Sequence, residues 1–485
     1  MSEKKSEKNV LKSFLDYFYG NFVVLILGFI SLPLITRVMS TDEYGRTAMF
    51  QSAVSVIYIF AILGLDQGYI RYYYKEGLSK KRLFLQCLYP PLTLIAVLSV
   101  VYYAFSDFFN MILFERSSFD ITLLVVAYVI TSVFERFVFL NIRMGQKGKL
   151  YSNLNILSKV LYILFILLFV RFIGDDFRVV LYALTLPLII VTTGLLIRFF
   201  YINRGEKVSL KTTVGGNISE RELLRYSIPF IPMLLMEWLL TSMDRWSIRI
   251  FNGFSETGIY SSAMQIMTII LTIKITFVAF WSPIAMEKYE NEPEEVCKSF
   301  FADIFDKVQF LCMCLAFSLT VFRGVIVLIL GEKYREAISV IPFLTLMPVL
   351  SILFEMTGQG VKFVKKIKYF NYASAAAIIC NLIGNAVLVP QYRGVGAALA
   401  TGVTYIVYFA IGTYFADKCY PVKYNLKSFC FSMLLYAGYA CYATYTENQL
   451  VSALVGVLVF AVHILINGKT VKSLLKLIKD ALKRS

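Results

Sequence analysis

Residues 222–268, ELLRYSIPFIPMLLMEWLLTSMDRWSIRIFNGFSETGIYSSAMQIMT, decide how the rest of the chain is interpreted. They form a long apolar segment with charges in its middle, a short polar turn and the start of a second apolar segment. Glu237, Thr241 and Asp244 are spaced i, i+4 and i+7, so they share one helical face, and Arg245 follows at once. A charge near the centre of a membrane helix costs about 2.5–3.5 kcal/mol unless it faces protein or water. The stretch therefore predicts a membrane helix that borders a polar interior.

The composition predicts a membrane protein. The chain has 485 residues, 58% of them hydrophobic and only 16% charged, and its mean hydropathy is +0.67. A soluble protein carries roughly 25% charged residues. The net charge of +16 does not indicate nucleic-acid binding, because Lys and Arg cluster in short loops between apolar runs, as the positive-inside rule expects. No basic face with interleaved aromatic residues is present.

Apolar runs long enough to cross a bilayer recur along the whole chain. We predict an all-α integral membrane protein of about fourteen transmembrane helices, near residues 14–38, 46–72, 83–106, 119–142, 150–172, 177–201, 222–246, 257–285, 299–322, 336–360, 369–389, 394–416, 427–446 and 449–467. An even number places both termini on one side. The loops on that side are rich in Lys and Arg, which predicts that both termini are cytoplasmic. No A-x-A cleavage site follows the first run, so it should remain as an uncleaved signal-anchor.

The longest polar stretch, NRGEKVSLKTTVGGNISER, is the predicted boundary between two halves. The predicted division is an N-lobe of six helices (1–202), a cytoplasmic linker (203–221), a C-lobe of six helices (222–418), a C-terminal helix pair (419–467) and a tail (468–485). The tail, with Val471, Leu474, Leu475, Ile478 and Leu482 on one face, predicts a basic amphipathic helix on the inner membrane surface.

An internal repeat links the two halves. Its copies are RVMSTDEYGRTAMFQ at 37–51, RIFNGFSETGIYSSAMQ at 249–265 and a weaker YRGVGAALATG at 392–402. Each has an Arg, a short turn, a Gly and then small residues that let neighbouring helices approach closely. The first two copies have the same predicted membrane orientation, which indicates parallel repeats. Such repeats usually hold the transported substrate between them.

Charged residues inside the predicted helices are the candidate functional residues. One hypothesis is a hydrated cavity that binds an anionic group; the other is a set of ion pairs that fix the helix bundle, or side chains that snorkel to an interface. The cavity is favoured for Glu237, Asp244 and Lys274. Ion pairs or snorkelling are favoured for Arg71 and for the pair Asp303/Lys307. The candidates for substrate binding are Lys274, Arg245, Arg136, Lys159, Asp66 and Arg71, and those for ion coupling are Asp244, Glu237 and Glu135.

The sequence favours a carrier over an enzyme. It contains no G-x-x-x-x-G-K-[ST] stretch, no Ser-His-Asp set and no cluster with metal-ligand spacing, and no cofactor is predicted. Its eight Cys are scattered, and His463 is the single His, which favours a packed side chain over a proton relay. The energy for transport must then come from an ion gradient, the membrane potential or a substrate gradient.

Several segments together carry a family resemblance. They are PLITRVMSTDEYG, YSIPFIPMLLMEWLLTSMDRWSIRIF followed by ETGIYSSA, ILGEKYREA, and NLIGNAVLVPQYRGVGAALAT. In this order they resemble bacterial polysaccharide flippases, the Wzx-type (O-antigen and capsule) branch of the MOP/MATE-like superfamily. Arg37, Glu43 and Gly45 match the first signature, while Asp244 and Arg245 match the "DR" of the seventh helix.

The resemblance implies two pseudo-symmetric six-helix lobes and alternating-access translocation of an undecaprenyl-diphosphate-linked oligosaccharide across the cell membrane. It also implies a cationic cavity for the diphosphate, which Arg and Lys suit. Partners would be membrane lipids and the polymerase and glycosyltransferases of the same pathway. Two alternatives remain. A MATE-like cation-coupled small-molecule antiporter would have the same lobes. A membrane glycosyltransferase or polymerase should have a large outer loop, which is absent from the sequence.

Overall fold

The computed structural model of the chain describes residues 2–75, 78–204 and 218–484, and every regular element in these ranges is a helix. Eleven of the described helices are long and apolar enough to cross a membrane. The predicted fold class, an all-α integral membrane protein, is therefore confirmed. The chain divides by compactness into two units, Met1–Ser242 and Met243–Ser485.

The first unit is a helix bundle. Its helices are α1 (Ser2–Val38), α2 (Thr41–Ile62), α3 (Leu65–Tyr72), α4 (Lys80–Ala104), α5 (Ser106–Phe114), α6 (Phe119–Met144), α7 (Gly148–Ile173), α8 (Arg178–Ile202), α9 (Glu220–Ser227) and the first part of α10 (Phe230–Asn291). In this bundle α1 packs on α7, α7 and α6 pack on α8, and α4 packs on α6. Of the candidate spans in this unit, α2 is the most enclosed by protein.

The second unit contains the rest of α10. The following helices are α11 (Glu294–Val321), α12 (Arg323–Ile329), a 3-10 turn (Glu332–Tyr334), α13 (Ala337–Leu344), α14 (Leu346–Thr357), α15 (Gln359–Phe363), α16 (Lys368–Cys419), α17 (Leu426–Tyr445), α18 (Gln449–Ile466) and α19 (Gly468–Arg484). The run from α13 to α14 is its most buried part, and it packs against α11, α16 and α17. Since apolar side chains cover this run on all sides, it forms the core of the unit.

The three predicted repeat turns each contain a helix break. The first lies between the end of α1 at Val38 and the start of α2 at Thr41. The others interrupt α10 at Gly253 (φ 86°, ψ −173°) and α16 at Arg393 (φ 52°, ψ −134°). Positive φ is readily adopted by Gly because it lacks a Cβ. Each of these two long helices therefore corresponds to two predicted spans, and α17 corresponds to the predicted span 427–446.

Two short helices differ from the predicted pattern. The span 46–72 is divided at Leu63 and Gly64, whose φ angles are 53° and 67°, and this division begins α3. A Cβ at Gly64 would lie 2.3 Å from the carbonyl oxygen of Ser227, so the chain approaches too closely for a larger residue. The second helix, α5, occupies a segment predicted as a loop. Its nine residues are too few to span a membrane, so the hydropathy pattern could not reveal it.

The same hydrogen bond occurs at corresponding places in the two repeats. Glu43, at the start of α2, accepts a hydrogen bond from the backbone N–H of Phe177 over 2.9 Å. Glu256, just after the break in α10, accepts one from the N–H of Gly394 over 2.9 Å. Phe177 and Gly394 both lie where the chain turns between the last two spans of a predicted lobe. We call Glu43 and Glu256 the turn carboxylates, and their equivalence supports the parallel repeat.

The turn carboxylates differ in their charged neighbours, which gives a testable difference in stability. Glu43 is 4% exposed and pairs with Arg46 and with Arg116, each over 2.8 Å. Glu43→Gln removes the countercharge of the buried Arg46, and breaking such a buried pair costs about 3–5 kcal/mol, whereas Arg116 keeps a second partner, Asp176, at 3.3 Å. Glu256→Gln removes one charge-assisted bond, a loss of about 1.5–3 kcal/mol. Thermal unfolding in detergent should give the lower Tm for Glu43→Gln; equal values would contradict this account.

A buried arginine joins the C-terminal helix pair to the rest of the second unit. Arg323 is 1% exposed and donates to the carbonyl oxygens of Thr320 (3.0 Å) and Ala443 (2.8 Å) and to the hydroxyl of Ser452 (2.9 Å). It thus joins α11 and α12 to α17 and α18.

Parts of the predicted division stay predictions. Residues 205–217 of the linker lie outside the described residues, as do the side chains of Ile478 and Leu482 in the tail.

Candidate functional site

Asp244 lies at the centre of a buried hydrogen-bond network in the second unit. Its side chain is on α10 and is 1% exposed. Its Oδ2 accepts hydrogen bonds from Tyr260 and Thr401, each over 2.5 Å. Its Oδ1 accepts from the amides of Asn381 (3.1 Å) and Asn385 (2.8 Å) on α16. Two parts of α10 and two parts of α16 thus converge on one carboxylate.

All four donors to Asp244 are neutral, and no cationic side chain of the described residues forms an ion pair with it. Hydrogen bonds offset the cost of burying the carboxylate but leave its charge in place. The hydroxyl and amide groups also carry oxygen acceptors. The same side chains can therefore offer oxygen ligands to a hard cation.

The sequence identified Asp244 but not its partners. Tyr260 and Thr401 gave no signal, because they are 16 and 157 residues away from Asp244 in the chain. A signal did exist for Asn381 and Asn385, two amides one helical turn apart in an apolar span. Paired amides at this spacing on a membrane helix indicate a polar partner inside the bundle.

Lys274 lies in a second charged group of the same unit. Its Nζ is 3.2 Å from Oε1 of Glu355 on α14. Nζ of Lys362 on α15 is 3.1 Å from Oε2 of the same carboxylate. We call these three side chains the lysine pair and its carboxylate. The exposed fraction is 29% for Lys274, 34% for Lys362 and 20% for Glu355. The group carries one net positive charge and remains accessible, so it can bind an anion.

In the first unit the structure brings Asp66 and Arg136 together. Asp66 lies in the first turn of α3, which the break at Gly64 begins. The Nη2 and Nε of Arg136 on α6 donate to its Oδ2 over 2.6 and 3.2 Å. Arg136 therefore already has a carboxylate partner within its own unit. For these two residues the structure shows the inter-helix ion pair that the sequence left open.

A polar cavity of about 380 Å³ lies beside this ion pair. It lies between α2, α6 and α7, and its lining includes the predicted residues Glu135 and Arg136. Its lining is Gln51, Val54, Ser55, Tyr58, Tyr128, Val129, Ser132, Glu135, Arg136, Phe139, Tyr151 and Asn155. Four of these residues are aromatic and six others carry polar side chains, so the cavity can make both ring contacts and hydrogen bonds.

The remaining predicted residues are not part of these groups. Lys159 is half-buried, with its Nζ 4.5 Å from the centre of the Tyr162 ring. Glu237 and Arg71 are exposed, which separates Glu237 from the Asp244 network although both lie on α10. Arg245 is half-buried, and its Nε has no hydrogen-bond partner among the described residues.

The structure confirms two predictions that polar residues within the spans make ion-pair or packing contacts. Lys307 forms an ion pair with Asp303, one helical turn earlier on α11. His463 is 1% exposed, its Nδ1 lies 3.0 Å from the hydroxyl of Ser432, and its ring stacks on Phe310. Both arrangements are structural contacts within the second unit.

The second unit also has a larger groove of about 1350 Å³. It lies against α11, α16 and α17, and its wall is mainly apolar, with side chains such as Phe409, Met433 and Leu434. Charged side chains, among them Lys298 and Asp417, are also present in the lining. Because an apolar wall offers few directional contacts, the polar groups described above are the better candidates for recognition.

The chain is similar in sequence and in fold to known proteins. A family model described as "Polysaccharide biosynthesis protein" matches residues 10–287, more than half of the chain. The chain belongs to the polysaccharide biosynthesis protein family. This polysaccharide biosynthesis protein is also 20% identical, over 435 residues and 89% of each chain, to the "Probable low-salt glycan biosynthesis flippase Agl15" of Haloferax volcanii.

Solved structures agree with this assignment at the level of the fold. A structure of "Lipid II flippase MurJ, inward closed conformation" matches with a TM-score of 0.69 and 14% identity, over 92% of this chain and 97% of that one. An inward-facing MATE transporter of the MOP superfamily matches with a TM-score of 0.59 and 15% identity, over 82% and 95%. The predicted resemblance, and with it the MOP-type fold of this polysaccharide biosynthesis protein, is confirmed.

Proposed function

We propose that the protein flips an undecaprenyl-diphosphate-linked oligosaccharide from the cytoplasmic to the outer leaflet, for the synthesis of a cell-surface polysaccharide. The transport cycle proceeds by alternating access and does not use ATP hydrolysis. The protein is a carrier, not an enzyme. The observation that carries the proposal is the lysine pair and its carboxylate, held inside a fold of the polysaccharide biosynthesis family.

The lysine pair supplies the contact for the diphosphate. An ammonium is a compact charge with three donors, which suits phosphate oxygens. Glu355 holds Lys274 and Lys362 close together while no substrate is bound. A diphosphate, with more charge than one carboxylate, then competes with Glu355 for both lysines. Arg245, Lys159 and Arg71 remain proposed contributors on the ground of intramembrane charge alone, while Arg136 and its partner Asp66 are proposed to contribute to substrate binding away from the diphosphate.

Asp244 is the proposed coupling residue. A buried carboxylate whose partners are all neutral favours a cation strongly, because there is little water to screen it. Binding of a proton or an alkali cation would neutralise the carboxylate, so that the hydroxyl and amide groups exchange their donated hydrogen bonds for contacts through their oxygen atoms. This exchange changes how α10 and α16 are held together, which links the ion to the conformation of the C-lobe. Glu237 and Glu135 are the further proposed ion-coupling residues.

A MATE-like cation-coupled antiporter of small molecules is the second candidate, since MATE transporters share the fold. Two observations favour the glycan. The family match covers residues 10–287, and the lysine pair suits a ligand that carries phosphate, whereas a cationic drug would be repelled by it.

The proposed setting is a bacterial cell membrane with both termini in the cytoplasm. The proposed partners are membrane lipids, the polysaccharide polymerase and the glycosyltransferases of the pathway. These assignments rest on the loop charges and on the family resemblance.

Deletion of the gene tests the proposed function. Cells without the protein should accumulate undecaprenyl-diphosphate-linked oligosaccharide on the cytoplasmic leaflet and lose the surface polymer, and the wild-type protein should restore it. The control is that the reintroduced wild-type protein reaches its normal level in the membrane. Unchanged surface polymer, or accumulation of the glycan on the outer leaflet, would contradict the proposal.

A further inference from the structure

We propose that the polar cavity of the first unit is a subsite for an uncharged sugar of the lipid-linked glycan. This inference rests on the proposed function and assigns the cavity a different part of the substrate from the diphosphate. The cavity is formed by α2, α6 and α7, entirely within Met1–Ser242. Three properties of its lining support the assignment, namely its charge, its unpaired polar groups and its aromatic surface.

The charge of the lining does not suit a diphosphate. Arg136 is the single Lys or Arg among the residues that line the cavity. Its guanidinium already donates two hydrogen bonds to Asp66. Glu135 adds a further carboxylate to the lining. A phosphate group here would find the single cation already paired with Asp66 and a further carboxylic group beside it, so the lining does not favour its binding.

The unpaired polar groups suit hydroxyl groups. The side chains of Gln51, Tyr58 and Glu135 line the cavity, and none of them has a hydrogen-bond partner among the described residues. Asn155 donates its amide to the carbonyl oxygen of Tyr151 over 3.1 Å, which leaves its own carbonyl oxygen available. Together these groups offer donors and acceptors. A sugar hydroxyl both donates and accepts, so one ligand can satisfy both kinds. An acyl chain can satisfy neither.

The aromatic side chains supply fixed surfaces for the CH faces of a sugar ring. Tyr128 packs edge-on against Phe50 with ring centres 5.3 Å apart. Phe139 and Tyr151 pack in the same way at 5.6 Å. Rings that are already held in place lose little conformational entropy when a ligand binds.

Polar contacts hold the wall of the cavity in position. Ser55 accepts a hydrogen bond from the indole of Trp238 over 3.0 Å and donates one to the carbonyl oxygen of Ser52 over 2.7 Å. The cavity volume of about 380 Å³ is near the lower end of small-molecule sites, roughly 300–1,000 Å³. The site therefore accepts a part of an oligosaccharide and not the whole chain. Glu135, which is also a proposed ion-coupling residue, accepts a hydrogen bond from a sugar hydroxyl in this subsite.

Two probes that differ in the sugar test this inference. One is undecaprenyl diphosphate without sugar, and the other is the undecaprenyl-diphosphate-linked oligosaccharide extracted from cells that lack the protein. Affinities are measured on the purified full-length protein in detergent. We expect the wild type to bind the second probe more tightly. Tyr58→Phe and Gln51→Leu should each weaken binding of that probe roughly three- to tenfold and leave binding of the sugar-free lipid unchanged.

The matched control is Tyr182→Phe, which also removes one tyrosine hydroxyl. Its ring stacks on Phe169 in the same unit, and it is not among the cavity residues. This variant should bind both probes like the wild type. Equal weakening of both probes by Tyr58→Phe and Gln51→Leu, or full glycan binding in both variants, would overturn the subsite. Equal affinity of the wild type for the two probes would overturn the subsite alone, whereas failure to bind either probe would overturn the proposed function.

Discussion

Replacing Lys274 by Ala is expected to abolish glycan export while the amount of protein in the membrane stays normal. The substitution removes one of two ammonium groups that share Glu355. A charge-assisted hydrogen bond contributes about 1.5–3 kcal/mol, so the affinity for the diphosphate should fall roughly 10- to 150-fold. The remaining group, Lys362 with Glu355, is neutral overall and no longer attracts an anion. Surface polymer and the affinity for undecaprenyl diphosphate are the measurements.

The matched control is Lys288→Ala on the same helix. Lys288 forms an ion pair with Glu292 at i+4, and both side chains are 37% exposed. Such exposed pairs contribute little to stability, and we expect normal export. Normal export by Lys274→Ala would remove this residue from the binding site.

Replacing Asp244 by Asn is expected to make transport insensitive to the sodium or proton gradient. The amide has nearly the same shape as the carboxylate but no charge, so it cannot attract a cation. The rate of export is measured as a function of pH and of sodium concentration. The variant should no longer respond to the one of these two variables on which the wild type depends. The maximal rate should fall by about tenfold or more, since a coupling free energy of 1–3 kcal/mol corresponds to 5–150-fold. Binding of undecaprenyl diphosphate should stay close to wild type.

A milder variant guards against simple misfolding. Asn381→Ala keeps Asp244 and removes one of its donors, so the ion concentration for half-maximal transport should shift while the dependence remains. Asp303→Asn, which alters a carboxylate paired with Lys307 in the same unit, should leave the ion dependence unchanged. Unchanged dependence in Asp244→Asn would make Asp244 a structural residue only.

Much of the fold could be predicted because hydropathy and turn chemistry act locally. The apolar runs located the long helices, and the Gly-containing turns marked the breaks at Gly253 and Arg393. The break at Gly64 was harder to predict, because Gly is tolerated inside membrane helices. The contact that requires Gly at this position is made by the carbonyl oxygen of Ser227, which is far away in the sequence.

The candidate site could be predicted only in part. Intramembrane charge identified Asp244, Lys274 and Arg136, since each is too costly to leave in lipid. Intramembrane charge could not show which residues contact each charged side chain, and these contacts decide the role of the side chain. Arg136 faces Asp66, whereas Asp244 has only neutral donors. Tyr58 and other uncharged cavity residues carry no such signal, because Tyr is common in membrane spans for packing alone.

Flipping in proteoliposomes tests the central claim most directly. Purified protein is reconstituted with labelled undecaprenyl-diphosphate-linked oligosaccharide in the absence of ATP, and the fraction of label that reaches the other leaflet is followed under an imposed sodium or pH gradient. The account predicts that the wild type moves the label faster with one of the gradients, that an ionophore removes this acceleration, and that Lys274→Ala moves none. Label that crosses as fast in liposomes without protein, or equally fast with Lys274→Ala, would contradict it.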